Sequence, residues 1–251
     1  MNKNKLLRLM KQLLISGIML LILCSFLSVL AYRPHSDQYS DAEAYLKELS
    51  EINLEQLQNQ IETSELKVMI AKADTDIERN MLKFTNSVIL GDSIVEGLSA
   101  YRLLKPTQAI STRGRRSDNC AKDVEKAAGL SPKRVILHYG MNDLEYCRGN
   151  EKLFIKYYQK ALDLVRKQMP KTKIYVHAIL PIDSSAVKQN ASYAKWKVFN
   201  QALKKLCEKE KITFIDGGFL LKNKASYESD GIHPTYAFYE KWLPYLLEVL
   251  K

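Results

Sequence analysis

The chain has 251 residues and a mass of 28.8 kDa, room for one medium α/β domain with accessory segments or for two small domains. Its 46% apolar and 26% charged composition excludes a disordered or low-complexity chain, and four cysteines exclude a disulfide-stapled mini-scaffold. A net charge of +10 suits an anionic partner, whether nucleic acid, membrane surface or acidic polymer, without choosing among them.

The amino terminus narrows that choice. Lys3, Lys5, Arg8 and Lys11 precede nineteen uncharged residues from Leu13 to Ala31, about the length a helix needs to cross a bilayer core. Arg33 is the only basic residue soon after. The positive-inside rule then predicts residues 1–12 in the cytoplasm, 13–31 as a single-pass membrane anchor, and the remainder outside the cell membrane. The alternative is a signal segment, because Val29-Leu30-Ala31 has small residues at cleavage spacing; the protein would then be secreted after cleavage near Ala31. Removing the four cations of the leading segment from +10 leaves +6 on the exported part. No nucleic-acid-binding motif accompanies that charge, so no nucleic-acid partner is expected. Cys120, Cys147 and Cys207 lack zinc-ligand spacing and read as ordinary buried thiols, with a Cys120–Cys147 bridge left open.

Residues 32–83 read as a helical stalk or linker. From Asp41 to Lys83 there is no Gly or Pro, and Glu, Gln, Leu and Lys favour helix. Leu54, Leu57 and Ile61 share one face, and Tyr45, Leu49 and Ile52 share another, but neither stripe keeps a heptad long enough for a coiled coil.

From residue 84 to 251 the pattern alternates. Strands are expected at 87–90, 107–111, 134–139, 173–180 and 211–215. Helices are expected near 94–104, 117–128, 150–169, 192–210 and 235–250. Five strands separated by helices predict a parallel sheet covered on both faces, with ligands at the carboxyl ends of its strands.

Three motifs fall at those ends. Gly91-Asp92-Ser93 follows the first strand and opens a helix, where a serine oxygen is exposed and helix-end N–H groups favour negative charge. Taken alone it is also a common turn and helix cap. Gly140-Met141-Asn142-Asp143 follows the third strand and offers an amide donor, or simply a tight turn. Asp230-Gly231-Ile232-His233 precedes the last helix, and its three-residue gap lets the carboxylate reach the imidazole. Of the four histidines, His138 and His177 lie inside strand patterns and read as satisfied sheet residues, while His35 lies beside the anchor. His233 is therefore the best candidate base. No cluster has metal-ligand spacing, which favours a serine mechanism over a metal one.

In this order and on these strand ends, the three motifs resemble the SGNH, or GDSL-type, hydrolase superfamily over roughly Ser87 to Lys251. The resemblance implies a flavodoxin-like three-layer α/β/α sandwich with a five-stranded parallel sheet. It implies a catalytic triad of Ser93, Asp230 and His233, and an oxyanion hole of Ser93, Gly114 and Asn142. Asp92 would brace the serine turn. The residues around Gly114 depart from the family's usual small-residue pattern. Arg113, Arg115 and Arg116 there are candidates to hold an anionic substrate group, or form a solvated basic loop. No cofactor or metal is implied. The implied function is that of an extracytoplasmic serine esterase acting on O-acyl or O-acetyl esters, with an acetylated glycan as partner and substrate. An O-acetyltransferase acting on an envelope glycan and a non-catalytic carbohydrate-binding protein are the alternatives. Oligomeric state is not legible.

Overall fold

The computed structural model describes residues 3–31, 44, 46–47 and 53–251. It divides the chain into two units, residues 1–64 and 65–251. The first contains helix α1 (Lys3–Ala31) and the start of α2 (Leu54–Lys72). Within α1, Met10–Ser28 is exposed, has a mean hydropathy of 2.0, and at 19 residues is long enough to cross a membrane; a signal sequence has the same character. The hydroxyls of Ser16, Ser25 and Ser28 donate to carbonyls one turn back, so this apolar helix leaves those groups paired. The face of Tyr45, Leu49 and Ile52 lies outside the described residues.

The second unit begins ahead of residue 84. Helix α3 (Asp76–Lys83) starts at Thr75, whose hydroxyl accepts from the Glu78 N–H, and the Gln108 side chain donates to the Met81 carbonyl at 2.9 Å. Then come β1 (Ser87–Gly91), α4 (Ser93–Ala100), β2 (Ala109–Ser111), α5 (Ala121–Ala128), β3 (Arg134–His138), α6 (Met141–Tyr146), α7 (Glu151–Gln168), β4 (Lys173–His177), α8 (Ser184–Gln189), α9 (Trp196–Glu210), β5 (Thr213–Ile215) and α10 (Tyr236–Val249).

The five strands form one parallel sheet in the order β2-β1-β3-β4-β5. Every residue of β1 is buried, as a strand covered on both faces requires. Strand order reverses beside β1: the chain steps one way to β2 and then returns past β1 to β3. In open α/β sheets that switch point opens a crevice at the strands' carboxyl ends. Ser93 follows β1 and Asn142 follows β3, so the fold brings the first two motifs to the two sides of this crevice.

The strands are shorter than their sequence patterns, because the apolar runs continue into buried loops: Ala178, Ile179 and Leu180 beyond β4 are all core residues. Two short helices, α6 and α8, fall outside the expected helical stretches. Leu144 on the first is fully buried, and Asp183 caps the second by accepting from the Ser185 N–H.

The turn after β1 is tightly packed. A Cβ on Gly91 would lie 2.3 Å from a Val95 methyl and 2.7 Å from the His138 carbonyl oxygen. The second contact is to neighbouring-strand backbone, which cannot rotate away. Gly91→Ala is expected to cost about 1–3 kcal/mol by overpacking. A urea denaturation midpoint equal to that of the wild type would overturn this.

Candidate active site

Ser93 is the first residue of α4. Asp92 caps that helix, accepting from the Ile94 N–H at 3.0 Å. The hydroxyl of Ser93 lies 2.8 Å from Nε2 of His233, although 140 residues separate them in sequence. Nδ1 of the same ring is 2.5 Å from Asp230 Oδ2. A carboxylate there accepts the Nδ1 proton, which leaves Nε2 with its lone pair toward Ser93.

Asp230 is held by its own loop. Its Oδ1 accepts from the backbone N–H groups of Ile232 at 2.8 Å and His233 at 2.9 Å. Burial alone would raise its pKa. The hydrogen bonds from His233 and from the two backbone groups outweigh that effect and hold the carboxyl below its ordinary range. The loop is tied down in turn: the Gly231 carbonyl accepts from the Asp183 N–H at 2.9 Å, and Tyr227 pairs with Pro234. Gly231 has φ +71° and Ser185 Oγ would stand 2.7 Å from an added Cβ, so both backbone and packing require glycine. The side chains of Asp230 and His233 are 43% and 37% exposed, so the serine–imidazole pair opens to solvent.

The other predicted residues lie in the segments after β1, β2 and β3. The N–H of Ser93, at the helix start, donates no hydrogen bond among the described residues, and neither does that of Gly114. Gly114 occupies an exposed turn closed by the Arg115 N–H on the Thr112 carbonyl, with φ +71°. Asn142 is engaged through its amide nitrogen, which donates to Asp92 Oδ2 at 2.9 Å and to the Arg115 carbonyl at 3.2 Å. Asp92 is wholly buried. Burial, opposed by the bond from Ile94 and reinforced by the charge of Asp143, pushes its pKa up to about 7.

All three arginines of the Gly114 segment are paired with acids. Arg113 meets Glu96 at 2.7 Å on the surface. Arg115 meets the fully buried Asp123 at 2.7 Å. Arg116 meets Asp118 at 2.9 Å and lies 3.8 Å over the Tyr146 ring. Sequence reading missed Asp123 and the way Asp143 serves: Asp143 accepts from both the N–H and the hydroxyl of Ser117, and burial pushes it up to about 6 against those bonds. No local signal marks Asp123, a polar residue on a short helix.

The two strand histidines differ. His177 is satisfied, with Nδ1 on the Ala178 carbonyl at 2.7 Å and Nε2 accepting from the Trp242 indole at 3.0 Å. His138 is buried with both ring nitrogens unpartnered, contrary to its expected satisfaction in the sheet. Cys120, Cys147 and Cys207 are buried free thiols, each pushed up to about 12 chiefly by burial. Among the described residues, no three His, Cys, Asp or Glu side chains are grouped to hold a metal ion.

A model of the GDSL-like lipase/acylhydrolase family matches residues 89–241, well over half of the chain. The chain belongs to that family. Solved structures agree in fold with this GDSL-like acylhydrolase. A GDSL-like lipase from Bacteroides thetaiotaomicron superposes with a TM-score of 0.54 at 18% identity, covering 74% of this chain and 96% of its own. A carbohydrate esterase of family 3 from Talaromyces cellulolyticus gives 0.50 at 18% identity, covering 65% and 95%. No curated protein matches the chain.

Proposed function

We propose that this GDSL-like acylhydrolase is a serine esterase that acts outside the cytoplasm on O-acyl esters of carbohydrates, O-acetyl groups first among them. The observation that carries the reading is the unbroken path from the Ser93 hydroxyl through His233 to Asp230. Its exported location is supported by the basic, then apolar, character of α1. The carbohydrate esterase among its structural neighbours is in keeping with the substrate class.

In this mechanism His233 Nε2 takes the Ser93 proton as Oγ attacks the ester carbonyl. Asp230 keeps the ring oriented and stabilises the imidazolium. The unpartnered N–H groups of Ser93 and Gly114 receive the oxyanion. Asn142, whose amide protons are already engaged, joins as a shared donor. His233 then protonates the leaving alcohol, the C–O bond breaks, and Ser93 holds the acyl group. Water, activated by the same imidazole, attacks the acyl-enzyme and releases the acid. The solvent exposure of His233 and Asp230 favours water over a second alcohol as the acceptor.

The test uses the full chain in detergent micelles with p-nitrophenyl acetate, with and without a glycan oligosaccharide, and products identified by mass. Ser93-dependent release of p-nitrophenol, with free acetate as the only acyl product, is expected. Acetylated oligosaccharide would instead make the protein an acetyltransferase. Absence of any Ser93-dependent release, extended to O-acetylated oligosaccharides, would overturn the esterase reading.

A further inference from the structure

The Gly114 segment carries three arginines that look alike in sequence, but the structure gives one of them a distinct place. The Arg115 guanidinium grips Asp123 with two parallel bonds, Nε to Oδ2 at 2.7 Å and Nη2 to Oδ1 at 3.0 Å. Nη2 also donates to the Thr112 hydroxyl at 3.0 Å, and Nη1 to the Asn119 carbonyl at 3.2 Å. Four donor contacts are thus spent inside the protein, and the side chain is 17% exposed. Little of this cation is left for a substrate anion. Its partner Asp123 is fully buried and also accepts from the Tyr139 hydroxyl at 3.2 Å. A carboxylate so buried depends on its cation, and a forked guanidinium suits the two oxygens where an ammonium would not.

The backbone of the same residue does a second thing. Its N–H closes the turn around Gly114 on the Thr112 carbonyl at 3.0 Å, and its carbonyl accepts from the Asn142 amide at 3.2 Å. Arg115 therefore joins the buried floor of the domain to two of the proposed oxyanion donors at once.

We infer that Arg115 is a positioning residue, whose clamp on Asp123 sets the Gly114 N–H and the Asn142 amide at the spacing an oxyanion needs. The role of the clamp in catalysis rests on the ester chemistry proposed above; the clamp itself does not.

The test compares full-length wild type with Arg115→Met, Arg115→Lys, Asp123→Asn and the Arg115→Met/Asp123→Asn pair. Two readouts are taken: kcat and KM on neutral p-nitrophenyl acetate, and amide hydrogen exchange over residues 112–119. Arg115→Met is expected to lower kcat about 10²-fold with KM little changed, since donors displaced by about an ångström lose that much. Asp123→Asn, which cannot touch substrate, is expected to lower kcat similarly, and the pair to be no worse than its worse member. Exchange over 112–119 rises in each, and Arg115→Lys recovers only part of both effects. Should Arg115→Met unfold, Arg115→Lys carries the same comparison.

The inference is overturned if kcat on the neutral ester is unchanged and only an anionic ester, p-nitrophenyl hemisuccinate, shows a raised KM. That result would make Arg115 a substrate-binding residue. Unchanged exchange over 112–119 would overturn it as well. If the wild type shows no Ser93-dependent turnover of any ester, the esterase reading and the catalytic role of the clamp fall together, while exchange still decides whether Arg115 holds the loop.

Discussion

Ser93→Ala is expected to lower the steady-state turnover of p-nitrophenyl acetate by about four to six orders of magnitude, with the fold and thermal transition unchanged. In the proposed mechanism the loss is large because the serine, imidazole and carboxylate act as one unit: without a nucleophile, the base and its orienting acid have nothing to activate. A residual rate over water should persist, since the free N–H groups at the start of α4 and at Gly114 still surround an ester carbonyl attacked by solvent. Asp230→Asn gives a graded companion. It preserves much of the loop but removes the acceptor that places the His233 proton on Nδ1, and it should cost about 10⁴ in kcat. A rapid quench of wild type with the same ester should show an acetyl group on the peptide containing Ser93. If Ser93→Ala turned over within tenfold of wild type, Gly91-Asp92-Ser93 would be a helix cap and nothing more, and the 2.8 Å contact to His233 would be structural.

Trp242→Ala is expected to produce the largest loss of stability in the molecule, about 3–5 kcal/mol by urea denaturation at pH 8. Trp242 is fully buried on α10. Its ring meets His138 and His177 edge-on, each at 5.3 Å between centroids, and packs against Phe238 at 5.2 Å. Its indole N–H is also the partner of His177 Nε2. Truncation therefore leaves a cavity and an unpaired imidazole nitrogen together.

The pH dependence of that loss separates the two terms. Burial pushes the His177 pKa down to about 4 and holds that of His138 well below 6.5. Unfolded chains then bind protons that the folded protein refuses, so this part of the stability is present above about pH 6.5 and is lost as pH falls toward 4. Asp92 and Asp143, raised to about 7 and about 6, act in the opposite sense: the folded protein keeps protons that the unfolded chain releases between about pH 4 and 7. In the wild type the two effects oppose each other across this window. In Trp242→Ala, water reaching His177 returns its pKa toward 6.5, so the variant loses less stability on acidification. The gap between the two proteins should be smaller at pH 5 than at pH 8. A gap independent of pH would mean that His177 does not sense the indole.

Much of the fold was legible because its signals are local. An apolar run such as Val88-Ile89-Leu90 ending at glycine reads as a buried strand wherever it falls, and an Asp-Ser step after it reads as a helix start. Short elements were less legible. Helices α6 and α8, six residues each, carry too few periodic positions to stand out from polar loops. The strands looked longer than they are, because a residue such as Ile179 is apolar for the sake of the core and not of the ladder.

The alternation of strands and helices, the apolar amino-terminal helix and the three polar motifs at strand ends can be read from local sequence, since each depends on residues within about one turn or one strand of each other. Even Asp230 beside His233 belongs to this class. What meets across distance came from the packing of the whole domain. It set the strand order that places the carboxyl ends of β1 and β3 side by side, and it brought Ser93 to His233 across 140 residues. It also sorted three similar arginines by burial, sending Arg113 to the surface and Arg115 onto a carboxylate with no access to water. Ion-pair choice and the satisfaction of a buried imidazole depend on which atoms the packing excludes from solvent, and no spacing along a chain encodes that exclusion.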